Sequence, residues 1–189
     1  MDWHVHTMQM PDGMFMRGTF FLTWHRRFLK LFEGRLQKVN SAVTVPYWDS
    51  ITDRHIPAAL ADAALLQRWS VTRAWDPTQL AHKSDLAAAR SYTGTFAGFQ
   101  TLLEGTVHGG THNAVGGDMA GSASPTDPLF WLHHAFIDKV WAEWQASANG
   151  KPPTKPSTVL KPANMQAGVK FGVTIASVLD IAQLGYSYA

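Results

Sequence analysis

The most constraining feature of the sequence is a predicted helix that carries two histidines among almost uninterrupted apolar residues. Asp127 followed by Pro128 is typical of a helix start, since an Asp side chain caps the first turn and Pro fits the first helical position. Residues 129–144 are apolar nearly all round, which predicts a buried helix. His133 and His134 lie inside it, and a buried imidazole needs a polar partner. The rest of the chain must therefore surround this helix and satisfy its histidines.

Helical phase does not choose between these two histidines. His134 shares a face with Phe130 and Trp141, and His133 shares one with Leu129 and Val140. Either ring is equally well explained as a core histidine that bonds to a backbone carbonyl. Asp138 lies four residues after His134, so we expect it to accept the second ring proton of His134 if that ring binds a metal.

The remaining pattern predicts a mainly α, single domain over residues 1–189, with few short strands and long loops. Apolar residues at three- and four-residue spacing predict a helix over residues 23–39, with Thr23 as its N-cap. Further helices are expected at 57–69 and 96–103, and short strands or a short helix at 168–189. The mixed stretch 70–92 is expected to be irregular, and the Pro- and Lys-rich residues 151–156 to form a surface loop.

Composition narrows the class of protein. The chain has 189 residues, of which 46% are hydrophobic and 16% charged, so it can bury a substantial core. Its net charge is +2 without a basic cluster, which argues against nucleic acid and anionic membranes as partners. It has no apolar run of membrane-spanning length and no visible signal peptide. The expected localisation is therefore cytoplasmic by default, with export together with a partner left open. Because the chain opens inside a motif, a truncated N-terminus and an unusually short version of a longer protein are both left open.

Metal chemistry in this chain must use imidazole and carboxylate, because there are nine His and no Cys. His108 and His112 are four residues apart, a spacing at which two rings on a helix can converge on one ion. Gly109 and Gly110 lie between them, and each costs about 1 kcal/mol inside a helix. Helix propensity therefore does not account for this stretch, although two incidental histidines on a solvated helix remain the alternative. The following Val-Gly-Gly at 115–117 is expected to end the helix abruptly.

Two common hydrolase classes do not fit these motifs. A zinc metalloprotease needs Glu directly after the first His of the pair, where this chain has Gly109. A triad hydrolase needs a Gly-x-Ser-x-Gly elbow, which the chain lacks. An all-nitrogen donor set without thiolate suits copper. His55 and His82 lie in polar, loop-like surroundings and are expected at the surface.

At the level of whole motifs, the chain resembles the tyrosinases, the type-3 copper proteins. The stretch TWHRRFLKLFEGRLQ at 23–37, followed by VPYWD at 45–49, resembles the family's first copper motif. The stretches LEGTVHGGTHNAVGGDM at 103–119 and SPTDPLFWLHHAFIDKVWAEWQ at 124–145 resemble the second. Tyr186-Ser187-Tyr188 is similar to the tyrosine motif that ends the family's catalytic core.

The resemblance implies a four-helix bundle that holds two copper ions in a type-3 centre. It places His108, His112 and His134 on the second copper, with His133 as a packed neighbour. It places His25 and His4 on the first copper, with His6 as the alternative to His4. Five histidines are thus expected as copper ligands.

The chain departs from the family pattern at the first copper. The family has a further His about nine residues before the one that matches His25, and here that position is Met16, or Phe15 if one residue is inserted. His6 and the thioether of Met16 are the reserve candidates for the missing ligand. A thioether favours Cu(I) over Cu(II). Simple packing of Met14 and Met16 against the bundle is the other interpretation.

The activity implied by the resemblance is oxidation of phenols, o-diphenols or o-aminophenols by O₂ to o-quinones. Glu104 matches a family Glu that orients a water, but the Asn expected beside it is replaced by Gly109, which favours diphenol over monophenol oxidation. No C-terminal cap domain is expected, and a separate copper-delivery partner is left open. The alternatives are a slow or inactive variant with an incomplete first copper site, and a non-catalytic copper or O₂-binding protein like haemocyanin.

The substitution Met16→His is expected to raise the copper content towards two ions per chain and to raise oxidation of catechol, because it supplies the third imidazole of the first copper site. Metal analysis after reconstitution and quinone absorbance measure the two effects. Phe15→His is the control for the register. No gain from either variant with catechol or tyramine would contradict the alignment.

Overall fold

The computed structural model describes residues 2–9, 17–166 and 168–189, and within them the chain is mainly helical. The α-helices and strands of this part of the chain are α1 (Asp2–Gln9), α2 (Phe21–Gln37), α3 (Ala63–Trp69), α4 (Lys83–Arg90), α5 (Phe96–Leu102), α6 (Gly110–Val115), α7 (Pro128–Ala146), β1 (Met165–Gln166) and β2 (Val169–Lys170). A π-helical turn, Leu103–Gly109, joins α5 to α6 without a break. The two strands form one antiparallel pair.

Helix α7 is the buried centre of the fold. Its N-cap Asp127 accepts a hydrogen bond from the Leu129 N–H at 2.8 Å, and Pro128 occupies the first turn. Both ends of the helix contribute to the core, from Leu129 to Trp144. The Asp-Pro start signal and the all-round apolar surface therefore correctly predicted this helix and its burial.

Two apolar clusters pack on different parts of α7. The first joins the C-terminal half of α7 to α5, with Phe99 stacked on Trp144 at a centroid distance of 4.1 Å. The second joins the N-terminal half to α2, with Phe28 against Trp131 at 4.8 Å. Helix α2 runs along α7 through both regions, so these two helices form the frame on which the histidines are placed.

A buried ionic cluster crosses from α2 to α7 and on to the C-terminal segment. Arg26 donates from Nε to Asp138 Oδ1 at 2.6 Å, and its guanidinium lies 3.5 Å over the Trp141 ring. The hydroxyls of Tyr186 and Tyr188 both donate to Asp138 Oδ2 at 2.7 Å. Burial and the adjacent carboxylate raise the pKa of both tyrosines far above the usual range. Both carboxylate oxygens are satisfied, as a buried charge requires.

The structure corrects several sequence predictions. Helix α2 begins at Phe21 with Phe20 as N-cap, and Thr23 lies inside the helix, where its hydroxyl donates to the Phe20 carbonyl. The helix expected at 57–69 is a 3₁₀ turn, Ala58–Leu60, followed by α3, which Asp62 caps. Residues 70–92 are not irregular throughout, because they contain α4. The Asp62 cap and the His82–Asp85 capping box mark the starts of these two helices. A prediction based on apolar periodicity alone does not detect them.

The coarser predictions are confirmed. The fold is mainly α with only short strands among the described residues, residues 151–156 are a loop, and the side chains of His55 and His82 are exposed. The number of helices in the bundle and the single-domain organisation stay predictions. No helix in the described part of the chain is long and apolar enough to cross a membrane.

We expect Asp138→Asn to lower the free energy of unfolding by about 3–5 kcal/mol, because it leaves the buried Arg26 guanidinium without a counter-charge. Urea unfolding followed by circular dichroism measures the change. Glu143→Gln is the matched control on the same helix. Glu143 pairs with Arg90 at the surface, so that variant should cost less than about 1 kcal/mol. Equal losses from the two variants would contradict the role of the buried cluster.

Candidate metal centre

Five histidines from four parts of the chain line one cavity of about 300 Å³. They are His4 of α1, His25 of α2, His108 and His112 on either side of the junction between the π-helical turn and α6, and His134 of α7. These are the five residues that the sequence assigned to copper. Glu104 and Gly109, the predicted catalytic positions, line the same cavity.

Two of these rings are fixed by the helix that carries them. Side chains on a helix lean towards its N-terminus, so a histidine ring can reach the carbonyl four residues earlier. His25 Nδ1 donates to the Phe21 carbonyl at 2.8 Å, and His108 Nδ1 donates to the Glu104 carbonyl at 3.1 Å. Because Nδ1 carries the proton in each ring, Nε2 keeps its lone pair.

Two further rings are fixed by the loop that follows α6. His112 Nδ1 donates to the Met119 carbonyl at 2.6 Å, and His4 Nδ1 donates to the Ser122 carbonyl at 2.9 Å. The loop can turn back in this way because Gly116 and Gly117 adopt positive φ angles of 63° and 53°. One loop therefore orients a predicted ligand of each copper.

His134 completes the group by its position opposite His112. The two Nε2 atoms are 3.3 Å apart, and His134 Nδ1 has no hydrogen-bond partner among the described residues. Two nitrogens bound to one tetrahedral metal ion at about 2.0 Å lie roughly 3.3 Å apart. His25 stacks on His134 with ring centroids 4.1 Å apart, so the two predicted ligand sets are adjacent. The donor set and this spacing fit a metal ion bound by imidazole.

His133 lies behind this group. Its Nε2 is 3.2 Å from the His108 carbonyl and donates to it, while its Nδ1 has no partner in the described part of the chain. Nitrogens of His108, His112 and His133 also fall within 4.8 Å of one another, so distance alone allows a second combination. We favour His134 because it lines the cavity and its Nε2 faces His112 Nε2. The ligand set stays a prediction.

The surroundings keep the imidazoles neutral. Burial lowers the pKa of His4 to about 4, and it lowers the pKa of His25, His108 and His134 well below the usual value. The neighbouring rings lower these pKa values further, because a positive charge on one imidazole would repel a positive charge on the next. Neutral imidazole is the form that binds a metal ion.

The π-helical turn places Glu104 at the rim of the cavity. Its carboxylate accepts from the Gly18 N–H, with Oε2 at 2.9 Å and Oε1 at 3.2 Å. Gln100 holds the same residue, since its amide donates to the Gly18 carbonyl and accepts from the Leu22 N–H. Burial raises the pKa of Glu104, and the positive charge of Arg17 opposes this shift. Glu104 therefore ties the start of α2 to the turn that carries His108.

Gly109 leaves room beside Glu104. A Cβ atom at this position would meet only the Glu104 carbonyl, at an ordinary contact distance of 3.7 Å, and the backbone is helical. Position 109 therefore has room for the Cβ atom of a larger residue. By contrast, a Cβ at Gly110 would come within 2.8 Å of the Gln79 carbonyl, so that glycine is required by packing.

Some predictions concern residues that the structure does not describe or places elsewhere. Met16 and Phe15 lie outside the described residues, and so does the side chain of His6. Asp138 does not contact His134 as expected, because Arg26 and the two C-terminal tyrosines occupy both of its oxygens.

Sequence reasoning did not find the carbonyls of Met119 and Ser122, which orient His112 and His4. Backbone acceptors carry no residue-type signal, and the two glycines at 116–117 were interpreted only as a helix stop. It also did not anticipate the apolar wall of the site. Phe130 lies 4.2 Å from the His134 ring and 5.4 Å from the His4 ring, measured between centroids.

A buried centre of neutral histidines, four of them held by backbone carbonyls, could bind a metal ion through imidazole alone. The comparison with known sequences identifies the family of the chain. The family model described as the common central domain of tyrosinase matches residues 3–68 and 59–147. The chain therefore belongs to the tyrosinase family.

Individual relatives agree with this assignment. Tyrosinase of Streptomyces antibioticus is 35% identical over 180 aligned positions, which cover 72% of this chain and 66% of the relative. Grixazone synthase of Streptomyces griseus is 29% identical, over 89% of this chain and 79% of the relative. Hemocyanin 1 of Megathura crenulata is 28% identical over 66% of this chain, which is 4% of that protein.

The match covers less than two thirds of the length of the Streptomyces tyrosinases. The alignment to the S. antibioticus protein spans 180 positions although it takes in only 72% of this 189-residue chain. The relative therefore has additional residues within the aligned region. The two matches to the family model overlap at residues 59–68.

Replacing His134 is expected to remove one copper ion per chain, whereas replacing His133 is not. His134→Gln deletes the nitrogen that faces His112, while the amide of His133→Gln can still donate to the His108 carbonyl. Metal analysis of the reconstituted proteins measures the copper content, and circular dichroism checks that both variants fold. Loss of copper in His133→Gln alone would assign the ligand to the other histidine.

Proposed function

We propose that this chain binds copper through its cavity histidines and oxidises o-diphenols or o-aminophenols with O₂ to the corresponding quinones. The observation that carries the proposal is the convergence of five neutral histidines on one cavity, four of them with Nδ1 tied to a backbone carbonyl. Membership of the tyrosinase family supports the choice of metal and the substrate class.

The proposed ligands fall into two sets. His108, His112 and His134 would hold one copper ion, and the 3.3 Å separation of two of their Nε2 atoms supports this. His25 and His4 would hold the other, because their rings face the same cavity from α2 and α1 with a centroid distance of 6.4 Å. His6 and Met16 are the candidates for a further ligand.

Bound copper would supply the one-electron redox couple through which O₂ accepts electrons from the phenol. In the balanced reaction, two o-diphenols and one O₂ give two o-quinones and two waters. The chain's own residues keep every proposed ligand unprotonated, because burial disfavours the imidazolium form. Phe130 and the other apolar residues around the rings limit access of water from the core side.

Of the proposed activities, oxidation of o-diphenols is the one that Glu104 and Gly109 support best. Hydroxylation of a monophenol first requires removal of the phenolic proton. Glu104 lines the cavity and is the carboxylate proposed to help remove this proton. Its oxygens already accept from the Gly18 N–H, however, and Gly109 provides no side chain beside it. The Asn amide that the resemblance predicts at position 109, beside the water that Glu104 would orient, is thus missing.

The experiment that tests the function reconstitutes the full chain with copper and follows O₂ consumption and quinone absorbance with catechol. We expect turnover that depends on copper and is lost in His25→Gln and in His134→Gln. The exposed histidine variant His55→Gln is the matched control and should keep full activity. A chain that binds copper but oxidises neither catechol nor o-aminophenol would refute an oxidase and favour a copper or O₂-binding protein.

The substitution Gly109→Asn is expected to raise oxidation of tyramine relative to catechol, since position 109 has room for a Cβ atom and lines the same cavity as Glu104, beside which the Asn amide could orient a water. The ratio of the two kcat/KM values is the measurement. Gly105→Asn lies in the same π-helical turn but not on the cavity, so it should leave the ratio unchanged. An unchanged ratio in Gly109→Asn would show that this position does not limit monophenol turnover.

A further inference from the structure

A buried arginine outside the cavity joins three segments around the second proposed copper site. Arg73 donates from Nε and Nη2 to the two oxygens of Asp127 at 2.6 and 2.7 Å, and from Nη1 to the Leu60 carbonyl at 2.6 Å. The side chain of Arg73 is 6% exposed and that of Asp127 is fully buried. Such a bidentate pair fixes both distance and angle between its partners.

Each residue of this ion pair is connected through the backbone to one proposed copper ligand. Asp127 caps α7 through the Leu129 N–H, and His134 lies about two turns along the same helix. On the other side, the segment 72–76, which contains Arg73, bonds to the end of α6. The Ala74 N–H donates to the Val115 carbonyl at 2.8 Å and the Asp76 N–H donates to the Ala114 carbonyl at 2.7 Å.

The segment 72–76 also holds the loop that orients His112. Thr72 and Asp118 exchange two hydrogen bonds, from the Thr72 N–H to Asp118 Oδ2 at 2.8 Å and from the Asp118 N–H to the Thr72 carbonyl at 3.0 Å. Met119, the next residue, supplies the carbonyl that accepts from His112 Nδ1. A Cβ atom at Gly116 would come within 2.8 Å of the Ala74 carbonyl, so the two stretches of backbone are in close contact.

We propose that Arg73 is a positioning residue for the second copper site, because it sets the separation between the backbones that carry His112 and His134. It does not line the cavity and acts only through Asp127 and the segment 72–76. The inference rests on the copper-binding part of the proposed function, and not on turnover.

The test measures Cu(I) affinity without any phenol, by anaerobic competition with a chromophoric Cu(I) chelator. His25→Gln removes a ligand of the first site and leaves the second for measurement, while His134→Gln does the reverse. Arg73→Lys is then added to each background, since Lys keeps the charge but cannot form the planar two-point contact. Arg90→Lys is the matched control, because Arg90 also pairs with a carboxylate on α7 but at the surface.

Arg73→Lys is expected to lower the Cu(I) affinity of the second site about tenfold, the scale of effect known for groups that orient metal ligands. The first site should lose less affinity, because the same loop orients only His4 of that site, through the Ser122 carbonyl, and Arg90→Lys should change neither site. A lower Tm with unchanged Cu(I) affinity, or an equal loss at both sites, would overturn the inference, since either result indicates a purely structural ion pair.

A second variant keeps the test decisive if Arg73→Lys fails to fold. Asp127→Asn retains an oxygen that can cap α7 but removes the charge that Arg73 contacts. It should produce the same selective loss at the second site, and unchanged affinity there would overturn the inference. A chain that binds Cu(I) normally but oxidises no phenol would refute the proposed activity alone.

Discussion

The architecture depends on burying several imidazoles in a neutral state and fixing four of them through the Nδ1 hydrogen. Burial makes a positive charge on any of these rings costly, and the proximity of the others increases that cost. A neutral ring still needs a partner for its N–H, and backbone carbonyls provide one for His4, His25, His108 and His112. Because the carbonyls belong to helices and one tight loop, the rings keep their orientation without help from a ligand.

The same two helices serve the site and the stability of the fold with adjacent residues. His25 points into the cavity while Arg26, the next residue, enters the buried ionic cluster. On α7, His134 lines the cavity, and Asp138, one turn further along, belongs to the ionic cluster. The Arg26–Asp138 ion pair therefore fixes how α2 and α7 are rotated relative to each other. Because His25 and His134 lie close to this pair on the same two helices, it also sets the distance between their rings.

The sequence predicted the parts of this protein that depend on residue type. The buried α7, its Asp127 cap and the five cavity histidines all follow from recognisable patterns or motifs. The parts that depend on backbone atoms did not follow, because a carbonyl such as that of Met119 carries no signal in the sequence. The expected contact between Asp138 and His134 was wrong for a related reason. Helical spacing placed the two side chains on one face, but Arg26 and two tyrosines distant in sequence competed for the carboxylate.

The π-helical turn at Leu103–Gly109 has a consequence for how this chain can change in length. A π-helical turn holds more residues than the 3.6 of an α-helix, and here it carries both Glu104 and His108. Deleting one residue between Glu104 and His108 would reduce their spacing from four residues to three, and His108 Nδ1 would no longer reach the Glu104 carbonyl. The number of residues between Glu104 and His108 should therefore be fixed, whereas the loop at 151–156 has no such restriction.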